Sequence, residues 1–338
     1  MRYFPTPRFV PVLVLVPLLL VLAALTACSE AGEGHLFEVE STGVVSGDAF
    51  LDLGRTGTRA PGDPSLAGLQ LALVMFGSRD TVTLALSDTA GFFGAQDLPL
   101  GSYQVVPDPG FLGDSLEVTR ISPSPAEVRR GPGTEVSVGI SFPVREVEEI
   151  LEGPSGVRLY ARGIALNSRE SLPGSAVHIR SGDGALRAVD MAPLEIQPGD
   201  SILILGRTRR VAGRVILEEG LGRRLRQAVA APTPWEVTTL EAASASEGTL
   251  AADFVMVTGV EVLDVRTSFG EMVVTVSDGS GSLVLRFPTG YLAQIRVESL
   301  EPGTVFDVQG ILLRAGAGAS WELRPRVPTD LMGLEPAP

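Results

Sequence analysis

Short apolar runs separated by clusters of glycine, proline, aspartate and serine recur from about residue 41 to the C-terminus. The chain holds 39 glycines and 25 prolines in 338 residues, so turns are frequent and long helices are disfavoured. Residues 69–74 and 80–86 alternate apolar and polar side chains, the period of a strand with one buried face. The pattern predicts an all-β fold. Because the chain is longer than one ordinary β-sandwich, we expect two or three domains.

The N-terminus has the layout of a secretory leader, with Arg2 and Arg8 before an apolar run at 10–25. The run ends in the sequence LTAC at 25–28, and Cys28 is the only cysteine in the chain. Two prolines interrupt the run, which at 16 residues is shorter than the roughly 20 that span a bilayer. A transmembrane anchor and an ordinary secretory leader with an incidental cysteine are the alternative interpretations.

Leu-Thr-Ala-Cys at the end of such a leader resembles the lipobox of bacterial lipoproteins. The resemblance implies a diacylglyceryl group on the Cys28 sulfur, signal-peptidase cleavage between Ala27 and Cys28, and acylation of the new amine, for example with palmitate. Two or more acyl chains suffice for stable anchoring. Ser29, rather than aspartate, follows the cysteine, which in this family favours the outer membrane. We expect a protein on the bacterial outer membrane or cell surface, held there by lipid.

Residue types that carry much enzyme chemistry are scarce in this chain. It has no lysine, one asparagine and two histidines, His35 and His178. With Cys28 lipidated, no Cys/His zinc cluster and no disulfide can form. His178 lies in the alternating run 176–180 and is predicted to be a half-buried strand residue rather than a base. Loss of the two leader arginines takes the formal net charge from −13 to −15, which disfavours general adhesion to DNA or anionic lipid.

The first folded segment contains the sequence SDTAGFFGAQDLPLGSYQV at 87–105. It resembles the B-type repeats of serine–aspartate-repeat adhesins and, more loosely, carboxypeptidase regulatory-like and collagen-adhesin B-type domains, over about 45–107. In this motif Asp88 and Gly91 form a turn, and Tyr103 points into the core. The resemblance implies a prealbumin-like or immunoglobulin-like β-sandwich.

Asp52 and Asp63 match two positions of the calcium-type loop that precedes the motif in this family. Gly54, Thr56 and Ala60 stand where the family has oxygen-rich ligands. Calcium takes six to eight oxygen ligands, several of them anionic. A plain turn is the preferred interpretation, and a calcium ion near Asp52 and Asp63 is the alternative.

Residues 157–332 contain an internal repeat, in which Gly199 and Gly303 are matching positions 104 residues apart. Each copy shows a strand, a hairpin around Asp-Gly, a PGD or PGT turn and two further strands. This order, with the ending WELRPRVPTDL at 321–331, resembles the tandem OB-fold-like domains of bacterial secreted and surface proteins. The expected architecture is a β-sandwich followed by two OB-like β-barrels. The predicted segments are a signal peptide at 1–27, a flexible tether at 28–40, the sandwich at 41–145, a linker at 146–156, barrels at 157–235 and 236–332, and a tail at 333–338.

Arginines concentrate in the first repeat, and the candidate ligand-binding residues there are Arg207, Arg209, Arg210 and Arg214. A solvated face, an anionic partner such as lipopolysaccharide phosphate or an acidic glycan, and nucleic acid are three interpretations of this cluster. OB barrels bind single strands with cationic tracks and aromatic platforms. The first repeat has the arginines but, histidine apart, no aromatic residue between 161 and 234. The aromatic residues lie in the second repeat, so the two requirements fall on different barrels.

Trp235, Tyr291 and Trp321 could line a sugar site, although core positions are the preferred interpretation of these aromatics. The sequence as a whole predicts a non-catalytic cell-surface lipoprotein with a binding or scaffold role for a glycan, an anionic polymer or a protein partner. An OB-fold nucleic-acid-binding module outside the cell is the alternative. A hydrolase with two catalytic carboxylates is a second alternative, although no carboxylate pair is singled out by its spacing.

Overall fold

The computed structural model describes residues 41–334, with gaps at 79, 229, 246–249, 295–299 and 315–319. The predicted leader and tether, and with them the lipidation and cleavage sites at Ala27 and Cys28, lie outside the described residues. The described chain is all-β and consists of a sandwich followed by two OB-like barrels, which confirms the predicted fold class. Among its helices, none is long and apolar enough to cross a membrane.

The sandwich packs a sheet of order β4-β1-β8-β6 against a sheet of order β3-β2-β5-β7. Its elements are β1 (Thr42–Leu51), β2 (Gln70–Met75), β3 (Thr81–Leu86), β4 (Phe92–Pro99), β5 (Gly101–Pro107), helix α1 (Pro109–Leu112), β6 (Glu117–Ser122), β7 (Ala126–Val128) and β8 (Thr134–Ser141). Tyr103 is fully buried, and its hydroxyl donates to the Pro99 carbonyl at 2.8 Å. Asp88 accepts hydrogen bonds in the turn before β4, and of the two phenylalanines that follow, Phe93 enters the core while Phe92 is exposed.

The first barrel closes through the pairings β10–β11, β11–β12, β12–β14, β14–β13 and β13–β10, the strand order of an OB fold. Its elements are β9 (Val144–Arg145), α2 (Val147–Glu152), β10 (Arg158–Ala165), a 3-10 turn (Pro173–Ser175), β11 (Val177–Ser181), β12 (Gly184–Ala188), β13 (Ser201–Val211) and β14 (Arg214–Arg226). Side chains of Ala161, Ile179, Leu186, Ile204 and Leu217 fill the barrel because they alternate with outward residues along each strand.

The second barrel repeats this connectivity through β16–β17, β17–β18, β18–β20, β20–β19 and β19–β16. Its elements are β15 (Trp235–Glu236), α3 (Thr239–Ala243), β16 (Phe254–Ser268), β17 (Glu271–Ser277), β18 (Leu283–Pro288), α4 (Gly290–Gln294), β19 (Val305–Arg314), β20 (Trp321–Arg324), a 3-10 turn (Pro328–Asp330) and β21 (Leu331–Met332). The internal repeat in the sequence therefore corresponds to two copies of one barrel.

Residues 146–156, expected to be a linker, instead contain α2. Val147 and Ile150 are spaced three apart and are buried in the core of the first barrel, because this spacing puts both on one face of a helix. The short strand β9 pairs in parallel with β10, as β15 does with β16. Each repeat therefore begins earlier than the apolar pattern indicates, at a short strand followed by a short helix.

The sandwich packs directly on the first barrel. Leu53 and Phe142 of the sandwich contact a small apolar cluster that includes Tyr160 and Leu205 on the outside of the barrel. The Tyr160 hydroxyl donates to the Leu53 carbonyl at 2.6 Å. Arg55 donates to the Phe142 carbonyl, also at 2.6 Å, and its guanidinium lies 5.4 Å from the Tyr160 ring centre. The contact lies at the end of the sandwich where β1 finishes.

Candidate ligand-binding cleft

The outer face of β11 and β12 corresponds to the face on which OB barrels usually hold ligands. In the first barrel the outward side chains there are His178, Arg180, Ala185 and Arg187, since their neighbours along the strands lie in the barrel core. Ala185 packs in an apolar cluster that also contains Phe254 of the second barrel. The second barrel therefore covers this face, and a ligand of the first barrel must bind elsewhere.

Arg180 joins the two barrels through a buried ion pair. Its Nε donates to Oδ1 of Asp253 at 2.7 Å, and its two terminal nitrogens donate to the carbonyls of Thr233 and Phe254. Trp235 Nε1 donates to the other Asp253 oxygen at 3.0 Å. Burial raises the pKa of Asp253, and the hydrogen bond and charge of Arg180 oppose that rise. Because Asp253 is fully buried, these partners are what offset the cost of burying its negative charge.

Arg326 makes a second polar connection between the barrels. Its guanidinium donates to both Asp330 oxygens at 3.0 Å and to the Leu166 carbonyl of the first barrel at 2.6 Å. The same group lies 3.5 Å from the ring centre of Phe254. Arg326, held by Asp330 in the sequence at 321–331, therefore connects this segment to the first barrel.

His178 lies in β11, as expected, but is fully rather than half buried. Asn167 Oδ1 accepts from its backbone N–H at 2.8 Å and lies 3.1 Å from its Nδ1. Burial lowers the pKa of His178 well below its usual value, and the positive charges of Arg187 and Arg214 lower it further. The imidazole is therefore neutral and shielded from any substrate.

The structure separates the four arginines singled out from the sequence. Arg207 and Arg209 are exposed on β13, and Arg209 pairs with Glu218 at 3.0 Å. Arg210 donates to the Gly213 carbonyl in the turn of its own hairpin at 2.8 Å.

Arg214 has a different environment, at the junction of the barrels. Its Nη2 donates to the carbonyl of Ala185 in the first barrel at 2.8 Å and to that of Ala251 in the second. The four side chains therefore do not form one binding surface.

A cleft of about 660 Å³ opens on the first barrel beside the chain that leads to the second. We call it the arginine cleft, and its principal lining residues are Glu146, Arg162, Arg180, Ser201, Arg226 and Thr233. Arg162 and Arg226 are exposed, one on β10 and one at the end of β14. Ile164 and Arg226 both pair with Ser201, which brings these strand ends together. Exposed guanidinium groups in a cleft suit carboxylate or phosphate groups.

Sequence reasoning missed Arg162 because it lies in β10, about 40 residues or more before the arginine-rich hairpin. The strand register could have indicated that Arg162 lies near the arginine-rich hairpin, because β10 pairs with β13 and β13 pairs with β14. The aromatic candidates also separate in the structure. Trp321 is buried in the core of the second barrel, and the Tyr291 hydroxyl donates to the Arg326 carbonyl. Trp235 is 42% exposed, and its ring lies 5.2 Å from the Arg180 guanidinium in the cleft wall.

The corresponding outer face of the second barrel carries a network of paired charges. Arg286 Nε lies 3.1 Å from Glu322, and Arg324 lies 3.0 Å from Glu271. Two acids and two arginines neutralise one another there. This face therefore lacks the cationic surplus that an OB barrel uses to follow a nucleic-acid backbone.

The carboxylates of Asp52 and Asp63 are occupied by the loop itself. Asp52 accepts from the backbone N–H groups of Thr56 and Gly57, at 3.0 and 2.8 Å, and Asp63 accepts from those of Leu53 and Ala60. Local hydrogen bonds of this kind, from backbone N–H groups to an aspartate, are typical of a turn. No group of three or more histidine, cysteine, aspartate or glutamate side chains suited to a metal occurs among the described residues.

No protein-family model matches the sequence, and no curated protein matches it. Solved structures with OB-type barrels are similar to parts of the chain. An OBody, AM1L10, bound to hen egg-white lysozyme is 22% identical over 33% of this chain and 99% of its own, with a TM-score of 0.24. The p204 HINb domain is 11% identical over 53% and 98% of the two chains, with a TM-score of 0.26.

Fission yeast Pot1 with single-stranded DNA is 10% identical over 54% of this chain and 83% of its own, with a TM-score of 0.27. Similarities at these identities and scores carry no argument about function. The assignment of OB-like barrels depends instead on the strand order of each barrel.

Proposed function

We propose that this chain is a non-catalytic, lipid-anchored protein on the outer side of a bacterial membrane, and that it binds an acidic glycan in the arginine cleft. The observation that carries the proposal is a cleft with two exposed arginines, next to a partly exposed tryptophan that lies against a third cleft residue, Arg180. Arg162 and Arg226 supply charge for the acid groups, and Trp235 supplies a flat apolar surface for a sugar ring.

The charge of the whole chain supports a specific site rather than general adhesion. The chain carries a formal net charge of −13, so its surface repels polyanions except where arginines gather. The arginine cleft has three arginines and one glutamate in its lining, and Asp253 neutralises only Arg180. An acidic polymer would therefore bind at this cleft in preference to the remainder of the surface.

A glycan fits the described surfaces better than a nucleic acid does. The usual OB face of the first barrel is covered, and that of the second is a neutral network of ion pairs. Single-strand binding without sequence preference uses successive aromatic platforms, whereas Trp235 offers one ring, beside Arg180.

The proposal of a non-catalytic role is supported by how the candidate residues are used. His178 is fully buried and neutral, and Asn167 Oδ1 contacts its backbone N–H and its Nδ1. The buried carboxylates of Asp200 and Asp253 accept hydrogen bonds from backbone, tryptophan or arginine donors. Such carboxylates hold the fold together and do not face a substrate.

Binding is tested by titrating the full mature protein with polygalacturonate, purified lipopolysaccharide and a 20-nucleotide oligo(dT). We expect the Arg162→Ala/Arg226→Ala double variant to weaken polygalacturonate binding by at least roughly tenfold, since each charge-assisted hydrogen bond is worth 1.5–3 kcal/mol. The matched control is Arg207→Ala/Arg209→Ala, which removes two exposed arginines of the same barrel outside the cleft.

Equal losses in the two double variants would contradict a site at the arginine cleft. Tight binding of oligo(dT), with no binding of polygalacturonate, would establish the nucleic-acid alternative instead. The anchor is tested separately by mass spectrometry of the N-terminal fragment purified from membranes. A diacylglyceryl group on Cys28 is expected, and a free thiol or a retained leader would contradict the proposed location.

A further inference from the structure

The start of the described chain and two exposed apolar side chains lie at the same end of the sandwich. Thr42, at the start of β1, pairs with Pro99 at the end of β4. Leu100 follows in the turn to β5 and is 40% exposed. Phe76 follows the end of β2 and is 57% exposed, and its backbone N–H donates to the Ser102 carbonyl at 2.8 Å. That hydrogen bond holds the phenylalanine at the same end as Leu100 and Thr42.

The opposite end of the sandwich contacts the first barrel. β1 runs from Thr42 at the first end to Leu51 near the second, and ten strand residues span about 33 Å. Leu53, two residues beyond β1, accepts the hydrogen bond from Tyr160 of the barrel. The barrels and the arginine cleft therefore lie on the side of the sandwich away from Phe76 and Leu100.

We propose that the end bearing Phe76 and Leu100 sits on the bilayer surface, with both side chains in the interfacial layer. The inference rests on the proposed lipid anchor at Cys28. The chain between Cys28 and Ser41 has 13 peptide steps and reaches at most about 45 Å when fully extended, so the anchor keeps this end near the lipid. At such a high effective concentration, a weak apolar contact suffices to hold one orientation.

The charges at this end suit a position between water and lipid. Arg129 and Arg130 are exposed in the loop after β7, and the acids Asp80 and Asp97 are exposed nearby. Charges of both signs disfavour a contact driven by net charge, so the apolar side chains provide the contact. The consequence is a fixed orientation in which the arginine cleft faces away from the membrane.

The test uses the full lipidated protein in vesicles of phosphatidylethanolamine and phosphatidylglycerol. Because Cys28 is the only cysteine and its sulfur would be lipidated, Phe76→Cys creates a single free thiol for an environment-sensitive fluorophore. Phe269→Cys is the matched control, since Phe269 is also an exposed phenylalanine at a hairpin tip, but on the second barrel. Leu100→Cys provides a second position at the proposed contact.

We expect spin-labelled lipids to quench the labels at positions 76 and 100 several-fold more strongly than the label at 269. Equal quenching at all three positions, in protein that co-floats with the vesicles, would overturn the orientation while leaving the anchor intact. Failure to co-float would instead contradict the anchor. Weak quenching at positions 76 and 100 in vesicles that becomes strong in nanodiscs holding one copy each would overturn the proposal, because it would show that a second copy covers this end.

Discussion

His178 is neutral because it is fully buried beside two arginines, and its neutrality makes the stability of the fold depend on pH. Its pKa is held well below the value of about 6.5 that an exposed histidine has. Below pH 6.5 the unfolded chain therefore binds a proton at this position that the folded chain does not bind. Stability must fall as the pH drops through 6.5 toward the lower folded pKa.

The variant His178→Gln tests this at the scale of one residue. We expect it to lower the melting temperature at pH 8 modestly, because the contact with Asn167 changes, but to flatten the fall in stability between pH 7 and pH 5. Denaturant unfolding at a series of pH values measures the slope. An unchanged slope in the variant would show that another group is responsible.

Sequence alternation was enough to place this histidine on a strand, because the period of two is a local signal. Its complete burial and its neutrality could not be predicted, since they depend on Asn167, Arg187 and Arg214, which tertiary folding brings to it. The same holds for Arg162, whose position in a cleft depends on strand register rather than on its neighbours in the chain.

At the scale of single elements, each barrel has a short helix tied to the hairpin between its second and third strands. In the first barrel, Glu148 on α2 accepts from the backbone N–H groups of Asp183 and Gly184. In the second barrel the carboxylate lies on the hairpin instead of the helix: Asp278 accepts from the backbone N–H and the hydroxyl of Thr239 at the start of α3. Helices of five or six residues are unstable alone, so these contacts and the core positions define them.

Asp278→Asn tests the contribution of this contact. Burial raises the pKa of Asp278, but hydrogen bonds from Ser280 and Thr239 outweigh it and hold the pKa well below its usual range. The stabilisation is therefore present above about pH 4 and is lost as the pH falls toward the folded pKa. We expect the variant to lose about 1 kcal/mol at pH 7, allowing for partial exposure, with less at pH 2.

Chemical denaturation at the two pH values measures the difference, with Asp264→Asn as a control. Asp264 is an exposed acid of the same barrel whose partner is Arg266 on the same strand. A loss of stability in Asp278→Asn that does not depend on pH would contradict the role of the ionised carboxylate. The strands around these helices could be predicted from alternation. The helix α2 could not, because its acidic residues are typical of an exposed linker and only Val147 and Ile150 indicate a buried face.

At the scale of the whole molecule, the buried pair of Arg180 and Asp253 joins the barrels into one unit. Removing one member leaves the other charge buried without its partner, which typically costs 3–5 kcal/mol. We expect Arg180→Ala to destabilise the protein by about that amount, and Arg180→Leu/Asp253→Leu to be less destabilised than Arg180→Ala. Denaturant unfolding of the full chain measures both.

The matched control is Arg158→Ala, which breaks an exposed pair with Glu219 and should cost about 1 kcal/mol or less. Equal costs for Arg180→Ala and Arg158→Ala would contradict a structural role for the buried pair. The two barrels could be predicted from the internal repeat, but their contact could not. It depends on residues such as Arg180 and Arg326, whose partners are 73 and 160 residues away in the chain.

The central claim, that the arginine cleft binds an acidic glycan beside Trp235, is tested most directly by tryptophan fluorescence during titration with polygalacturonate. Trp235 is partly exposed and lies against Arg180 of the cleft lining, whereas the other tryptophan, Trp321, is buried in the second barrel. We expect a saturable change in emission that persists in Arg207→Ala/Arg209→Ala and disappears in Trp235→Phe. We also expect Arg162→Ala/Arg226→Ala to shift the midpoint to higher concentration by at least roughly tenfold. A change that survives in Trp235→Phe, or a midpoint that the cleft variant leaves in place, would contradict the central claim.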